Sequence, residues 1–249
     1  MKTVGKMDGI MLCSRYSFGP NRLHYCGPDA NAELKSYITR NQTDGGLSVL
    51  LKKFETLYPY LCHIARANNI QDPFDTRVVE AYWIGNELLD HISKNDLHTF
   101  LIDGISTKKK MKSGEWRWLE EKISQGAMPH HSFHVLNVWQ QTGHNDFLET
   151  VKRMDECRIS SGTIISTNGP AVVVSTEPLI YMNGKLLLGP TITKTIYRSL
   201  ESEYDIEQIK PGEIVSIHWS VPCEIISKEK AERLRKYTMQ NIAFANQTL

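Results

Sequence analysis

The sequence predicts an α+β protein. An N-terminal all-α domain covers residues 1–155, and a small β-barrel with a C-terminal helix covers 156–249. Three observations carry this reading. Apolar residues recur at helical spacing from about 33 to 155. The texture turns β-branched and serine-rich at Cys157. From Ser227 to about Ala245 the pattern is helical again. The chain has 249 residues, 41% hydrophobic and 23% charged, enough to build a packed core.

Residues 1–32 read as irregular, because Gly19-Pro20-Asn21 and Gly27-Pro28-Asp29 are turn signals. Leu47, Leu50, Leu51, Phe54, Leu57 and Leu61 then recur at helix spacing. Asp72-Pro73-Phe74-Asp75 caps the next helix, whose apolar set starts at Val78 and Val79. A short helix follows around Leu97 to Ile102, then a basic, exposed loop over 106–114. Trp116 to Ile123 is helical. Pro129 suits the first turn of a helix reaching about Gln141, and Asn145 to Met154 is the last amphipathic helix before the change of texture.

The C-terminal part reads as short strands. They are Arg158 to Ser166, Ala171 to Val174, a hairpin around Asn183-Gly184, Thr191 to Tyr197, and Ile214 to His218. Ser227 is the cap of the closing helix.

Lys+Arg is 29 and Asp+Glu is 28, a formal net charge of +1. That balance argues against a nucleic-acid partner. No stretch is apolar for long enough to span a bilayer, and Met1 to Gly9 lacks the apolar core of a signal peptide. The expected location is the cytoplasm. The five cysteines, Cys13, Cys26, Cys62, Cys157 and Cys223, are odd in number and widely spaced, so no disulfide framework is expected.

Two segments of the C-terminal part stand out. One is Cys157-Arg158-Ile159-Ser160-Ser161-Gly162-Thr163, followed by Asn168-Gly169-Pro170 and a valine-rich strand. The other is Lys210-Pro211-Gly212-Glu213, a strand ending at His218, and Ser227-Lys228-Glu229-Lys230-Ala231. Together they resemble the HypC/HupF family of nickel–iron hydrogenase maturation chaperones. The resemblance covers about the last third of the chain and implies an OB-like barrel with a C-terminal helix. It also implies that Cys157 binds iron with His218 close by, the iron being a carried fragment with diatomic ligands. The partners it implies are a HypD-type maturation protein and a hydrogenase large-subunit precursor. The chain departs from that family in several respects: there the cysteine follows the initiator methionine, whereas Cys157 is internal; the family's proline just after the cysteine is replaced in Cys157-Arg158-Ile159-Ser160; and Trp219 to Cys223 stands where the family has a more glycine-like and apolar stretch.

The whole chain also resembles an uncharacterised bacterial family found near hydrogenase genes. The segments that carry this likeness are Pro20 to Pro28, Val78 to Asn86 and His130 to Val135.

The helical part holds a second constellation. In His130-His131-Ser132-Phe133-His134, a helix places His130 and His134 at i, i+4 and His131 and His134 at i, i+3. Either pair suits a transition metal or the flank of a cofactor, with Glu80 or Glu87 as a further ligand. Cys26, with His24 two positions earlier, is a candidate activated thiol. For Cys26 and Cys157 the alternative is simple packing. Tyr82, Trp83, Trp116, Trp118 and Trp139 read as core.

Three functions follow from these readings. The first is an accessory factor for hydrogenase maturation, working through Cys157 and His218. The second is a metal- or haem-dependent enzyme using His130, His131, His134 and Glu80. The third is a docking scaffold without catalysis.

Overall fold

A computed structural model describes residues 7–105, 115–138, 147–198 and 208–249. The basic loop expected over 106–114 lies outside the described residues.

The protein is α+β: helices first, then antiparallel strands, then a long helix. The first helix, α1 (Gly9–Asn21), falls where the sequence reads as irregular. It carries Gly9, Gly19, Pro20 and two serines, and it has no polar face because it is buried nearly all round. Its serines satisfy their hydroxyls internally: Ser14 donates to the Ile10 carbonyl and Ser17 to the Cys13 carbonyl, each at 2.8 Å. Asp8 caps it by accepting from the Met11 N–H.

α2 (Asn31–Arg40), α3 (Gly45–Lys52) and α5 (Thr76–Trp83) pack on α1, and α4 (Leu57–Ala67) packs on α5. Asp44 and Asp75 cap α3 and α5. α6 (Lys94–Thr99) runs into a π-turn at 100–104, and α7 (Glu115–Ser124) follows. The histidine-rich segment differs from its expectation. α8 (His131–Phe133) is a single turn capped by His130, and it passes directly into a π-turn, His134–Val138. Pro129 therefore precedes the cap and is not in the first turn. The helical part ends with α9 (Phe147–Cys157).

The strands are β1 (Ser160–Asn168), β2 (Ala171–Thr176), β3 (Leu179–Met182), β4 (Lys185–Leu188), β5 (Ile192–Tyr197), β6 (Ile214–His218) and β7 (Val221–Ile226). β7 has no counterpart in the sequence reading. Five of them form one antiparallel sheet in the order β5-β2-β1-β6-β7. No closed barrel forms among the described residues. The sheet edges meet at one end, where the Tyr197 N–H donates to the Ser220 carbonyl at 3.0 Å, but no ladder joins β5 to β7 among the described residues.

The β3–β4 hairpin turns on Asn183 and Gly184, both at positive φ. It leaves the sheet and packs on α9 and on α10 (Lys228–Ala245), through Leu179, Leu186, Met154 and Ile242. Ser227 caps α10.

The main core does not stop at residue 155. One cluster joins Leu12, Tyr16, Val79 and Trp83 of the helices to Ile159, Cys223 and Leu234 beyond them. A smaller cluster, including Ile164, Val172, Val174 and Val215, lies under the sheet. No described helix is long and apolar enough to cross a membrane. All five cysteines are free thiols.

Candidate metal centre

Cys157 is the last residue of α9, and His218 is the last residue of β6. A two-residue turn, Trp219 and Ser220, joins β6 to β7 with both residues in the left-handed region (φ 51° and 58°). This is the primed hairpin geometry, here built without glycine. The turn is pinned to the end of α9. The Trp219 N–H donates to the Glu156 carbonyl at 2.9 Å, and the Ser220 hydroxyl donates to the Glu156 carboxylate at 2.8 Å. The strand-end histidine thus sits beside the helix-end cysteine.

The third group comes from α8. One ligand atom each from His131, Cys157 and His218 lie within 4.8 Å of one another. The Cys157 sulfur is 4.0 Å from His131 Nε2. A single metal ion takes ligand bonds of about 2.0–2.3 Å from such groups, so small side-chain adjustments suffice to bring all three onto one ion.

The environments of these groups fit ligation. His218 Nδ1–H donates to the Tyr16 carbonyl at 2.6 Å, which leaves the lone pair on Nε2; that atom is buried and has no hydrogen-bond partner. A ring N–H held by a main-chain carbonyl, with the other nitrogen free, is the usual arrangement of a metal-bound imidazole. His131 Nδ1 is 3.1 Å from the Tyr82 hydroxyl, and its Nε2 is 2.9 Å from the Cys157 carbonyl. As the ring stands, Nε2–H donates to the Cys157 carbonyl and Nδ1 accepts from the Tyr82 hydroxyl; a metal would take Nε2 by displacing the first of these bonds, with the proton moved to Nδ1 and donated to the Tyr82 oxygen.

Burial pushes the His218 pKa down to about 4 and holds that of His131 well below its ordinary value, so both rings are neutral at pH 7. Burial pushes the Cys157 thiol up to about 12. The thiol is therefore protonated without a cation, and a bound metal would displace its proton.

The three donors line a cavity of about 310 Å³. The two constellations read separately in the sequence meet there. Cys26 and His134 line the same cavity as His131, Cys157 and His218. His134 Nδ1 is 3.3 Å from the Tyr60 hydroxyl. Cys26 sits in a turn held by Asn21, whose Nδ2 donates to the carbonyls of Cys26 and Pro28. His24, at φ 58°, is not extended, and its ring pairs with Asp29 at 3.3 Å. Burial pushes the Cys26 thiol up to about 11, opposite to the shift that activates a nucleophile.

Two of the sequence candidates stand elsewhere. His130 faces away, stacked on Tyr237 at 5.0 Å, with its Nδ1 accepting from the Ser132 N–H as a helix cap. Glu80 binds Lys230 at 2.7 Å and Arg233 at 3.6 Å, joining α5 to α10. Cys223 is fully buried in the main core.

Trp83, read as core from the sequence, packs its indole against both imidazoles, 4.5 Å from His131 and 5.4 Å from His218. Trp219 stacks on Tyr25 at 4.3 Å on the cavity wall. Tyr16, Tyr82 and Trp219 serve the centre without any signature in the sequence, since each acts through a contact that only the fold creates.

No curated protein and no solved structure matches the chain. A family model described as "Family of unknown function (DUF6390)" matches residues 5–249, across the helices and the sheet alike, and the chain belongs to that family.

Proposed function

We propose that the protein is an accessory factor for nickel–iron hydrogenase maturation, holding an iron–diatomic-ligand fragment as cargo through Cys157, His218 and His131. The observation that carries the reading is the meeting of these three ligand atoms within 4.8 Å. A thiolate and neutral imidazoles are a donor set that suits iron. The resemblance of the last third of the chain to the HypC/HupF chaperones supports the choice of metal. It also points to the partners, a HypD-type protein and a hydrogenase large-subunit precursor. His131 belongs to the helical part, so the internal cysteine is compensated by an imidazole from outside the strands.

A second reading, a metal-dependent enzyme, is favoured by one observation. His134 and Cys26 line the same cavity as the three donors, so the site has more reactive groups than a carrier needs.

The test is anaerobic loading with ferrous iron, with bound metal measured in the parent protein and in Cys157→Ala, His218→Ala, His131→Ala and Glu80→Gln. Stoichiometric iron in the parent and Glu80→Gln, and its loss from the other three, is the expected result. Loss of hydrogenase maturation in cells carrying Cys157→Ala should accompany it. Full iron content in Cys157→Ala overturns the reading. Absence of iron from every preparation, with a HypD-type partner still captured, leaves the docking scaffold.

A further inference from the structure

His131 and His218 are buried and Cys157 is half-buried, so an ion needs a path to them. Of the described residues that line the cavity, only His24 and Tyr25 are exposed. They are neighbours on the strap of residues 22–30, which joins α1 to α2 without helix or strand. The boundary between cavity and solvent is therefore this strap.

The strap is hinged on the end of α1. The Tyr25 N–H donates to the Pro20 carbonyl at 3.0 Å, and Asn21 Nδ2 donates to the carbonyls of Cys26 and Pro28 at 2.9 and 2.8 Å. Gly27, at φ 83°, passes so close to Phe54 that a Cβ would lie 2.3 Å from its Cε1. Across the mouth of the cavity, side chains hold the strap instead. The Tyr25 ring stacks on Trp219 at 4.3 Å and 17°, and the Arg153 guanidinium carbon of α9 lies 5.8 Å from the centre of the same ring. The Arg22 guanidinium reaches the Trp219 carbonyl at 3.4 Å. Trp219 is 9% exposed and its N–H is tied to the Glu156 carbonyl, whereas Tyr25 is 52% exposed. One ring of the stack is thus fixed, and the other is held at an exposed site by two weak contacts, the stack and the cation–π pair.

We infer that Tyr25 is the latch of a gate over the metal centre. The strap opens when the Tyr25 ring leaves Trp219, and the ion passes in and out beneath it. A few loop residues that hinge over a buried site are a common form of such closure. This rests on the metal reading and adds a kinetic role for a residue outside the ligand set. A cargo that is handed on needs an exit of this kind.

The probe is cobalt(II), taken up by the metal-free full chain and removed by EDTA at a concentration on which the rate no longer depends. The visible cobalt bands report both steps in stopped flow. Tyr25→Ala should take up and release cobalt about tenfold faster than the parent, the factor expected from loss of an aromatic stack and a cation–π contact. Its cobalt affinity and spectrum should be those of the parent, because both rates rise together. Tyr25→Phe keeps the stack and should keep the parental rates. Parental rates in Tyr25→Ala overturn the latch and leave the metal site standing. Faster release with unchanged uptake makes Tyr25 a prop of the loaded site and also overturns the latch. A parent protein that binds no cobalt overturns the metal reading and this inference together.

Discussion

His218 Nδ1–H donates to the main-chain carbonyl of Tyr16 at 2.6 Å, linking the end of β6 to the middle of α1. The bond fixes the tautomer that leaves Nε2 free. It exists because α1 comes very close to the strand end. A Cβ on Gly19 would lie 2.6 Å from the His218 carbonyl oxygen and 3.2 Å from the Trp219 Cβ. Gly19 has no positive φ, so its role is the close approach alone.

Gly19→Ala should therefore push the turn at Trp219 away from α1. We expect a loss of stability of about 1–3 kcal/mol from overpacking, and a weaker metal site as His218 is displaced. Urea unfolding reads the first, and competition with a metallochromic chelator reads the second. An alanine variant with parental metal affinity would show that the His218 position does not depend on this contact.

Glu80 is the candidate whose role changes most. It neutralises Lys230 and approaches Arg233 on α10, while Lys230 also binds Glu224 at 3.1 Å. Glu80→Gln should cost about 1 kcal/mol, in the range of partly exposed ion pairs, with metal content unchanged. A fall in bound metal in that variant would restore Glu80 to the site.

His63 makes stability depend on pH. It is 3% exposed, stacked on Phe100 at 4.4 Å, and neither ring nitrogen has a partner. Burial, with a contribution from the charge of Arg66, lowers its pKa from 6.5 to about 4. Between those values the unfolded chain binds a proton that the folded chain refuses. The contribution is thus complete above pH 6.5 and is lost as pH falls toward 4. It amounts to about 3 kcal/mol at most, since one pKa unit is worth 1.36 kcal/mol. His63→Phe should remove this part of the slope. Equal slopes for parent and variant in urea unfolding at pH 4.5 and pH 7 would assign the dependence to other groups.

The sequence by itself determined the succession of a helical part, a strand-rich part and a closing helix, with the Asn183-Gly184 hairpin, the Ser227 cap and the change of texture at Cys157. These follow from local signals: periodicity, turn chemistry and capping. It also marked out Cys157, His218, His131, His134 and Cys26 as chemistry-bearing residues. α1 was hidden because a helix buried on every side carries no amphipathic period. β7 was hidden because the turn before it uses Trp219 and Ser220, residues that do not announce a left-handed conformation.

Only the tertiary structure decided that two separate constellations line one cavity. It alone turned His130 and Glu80 away from that cavity and gave Tyr16, Tyr82, Trp83 and Trp219 their places around His131, Cys157 and His218. The reason is physical. The geometry of the three groups depends on α1, α5, α8, α9 and β6 converging to within a few ångströms, and no local pattern records the packing that brings distant segments together.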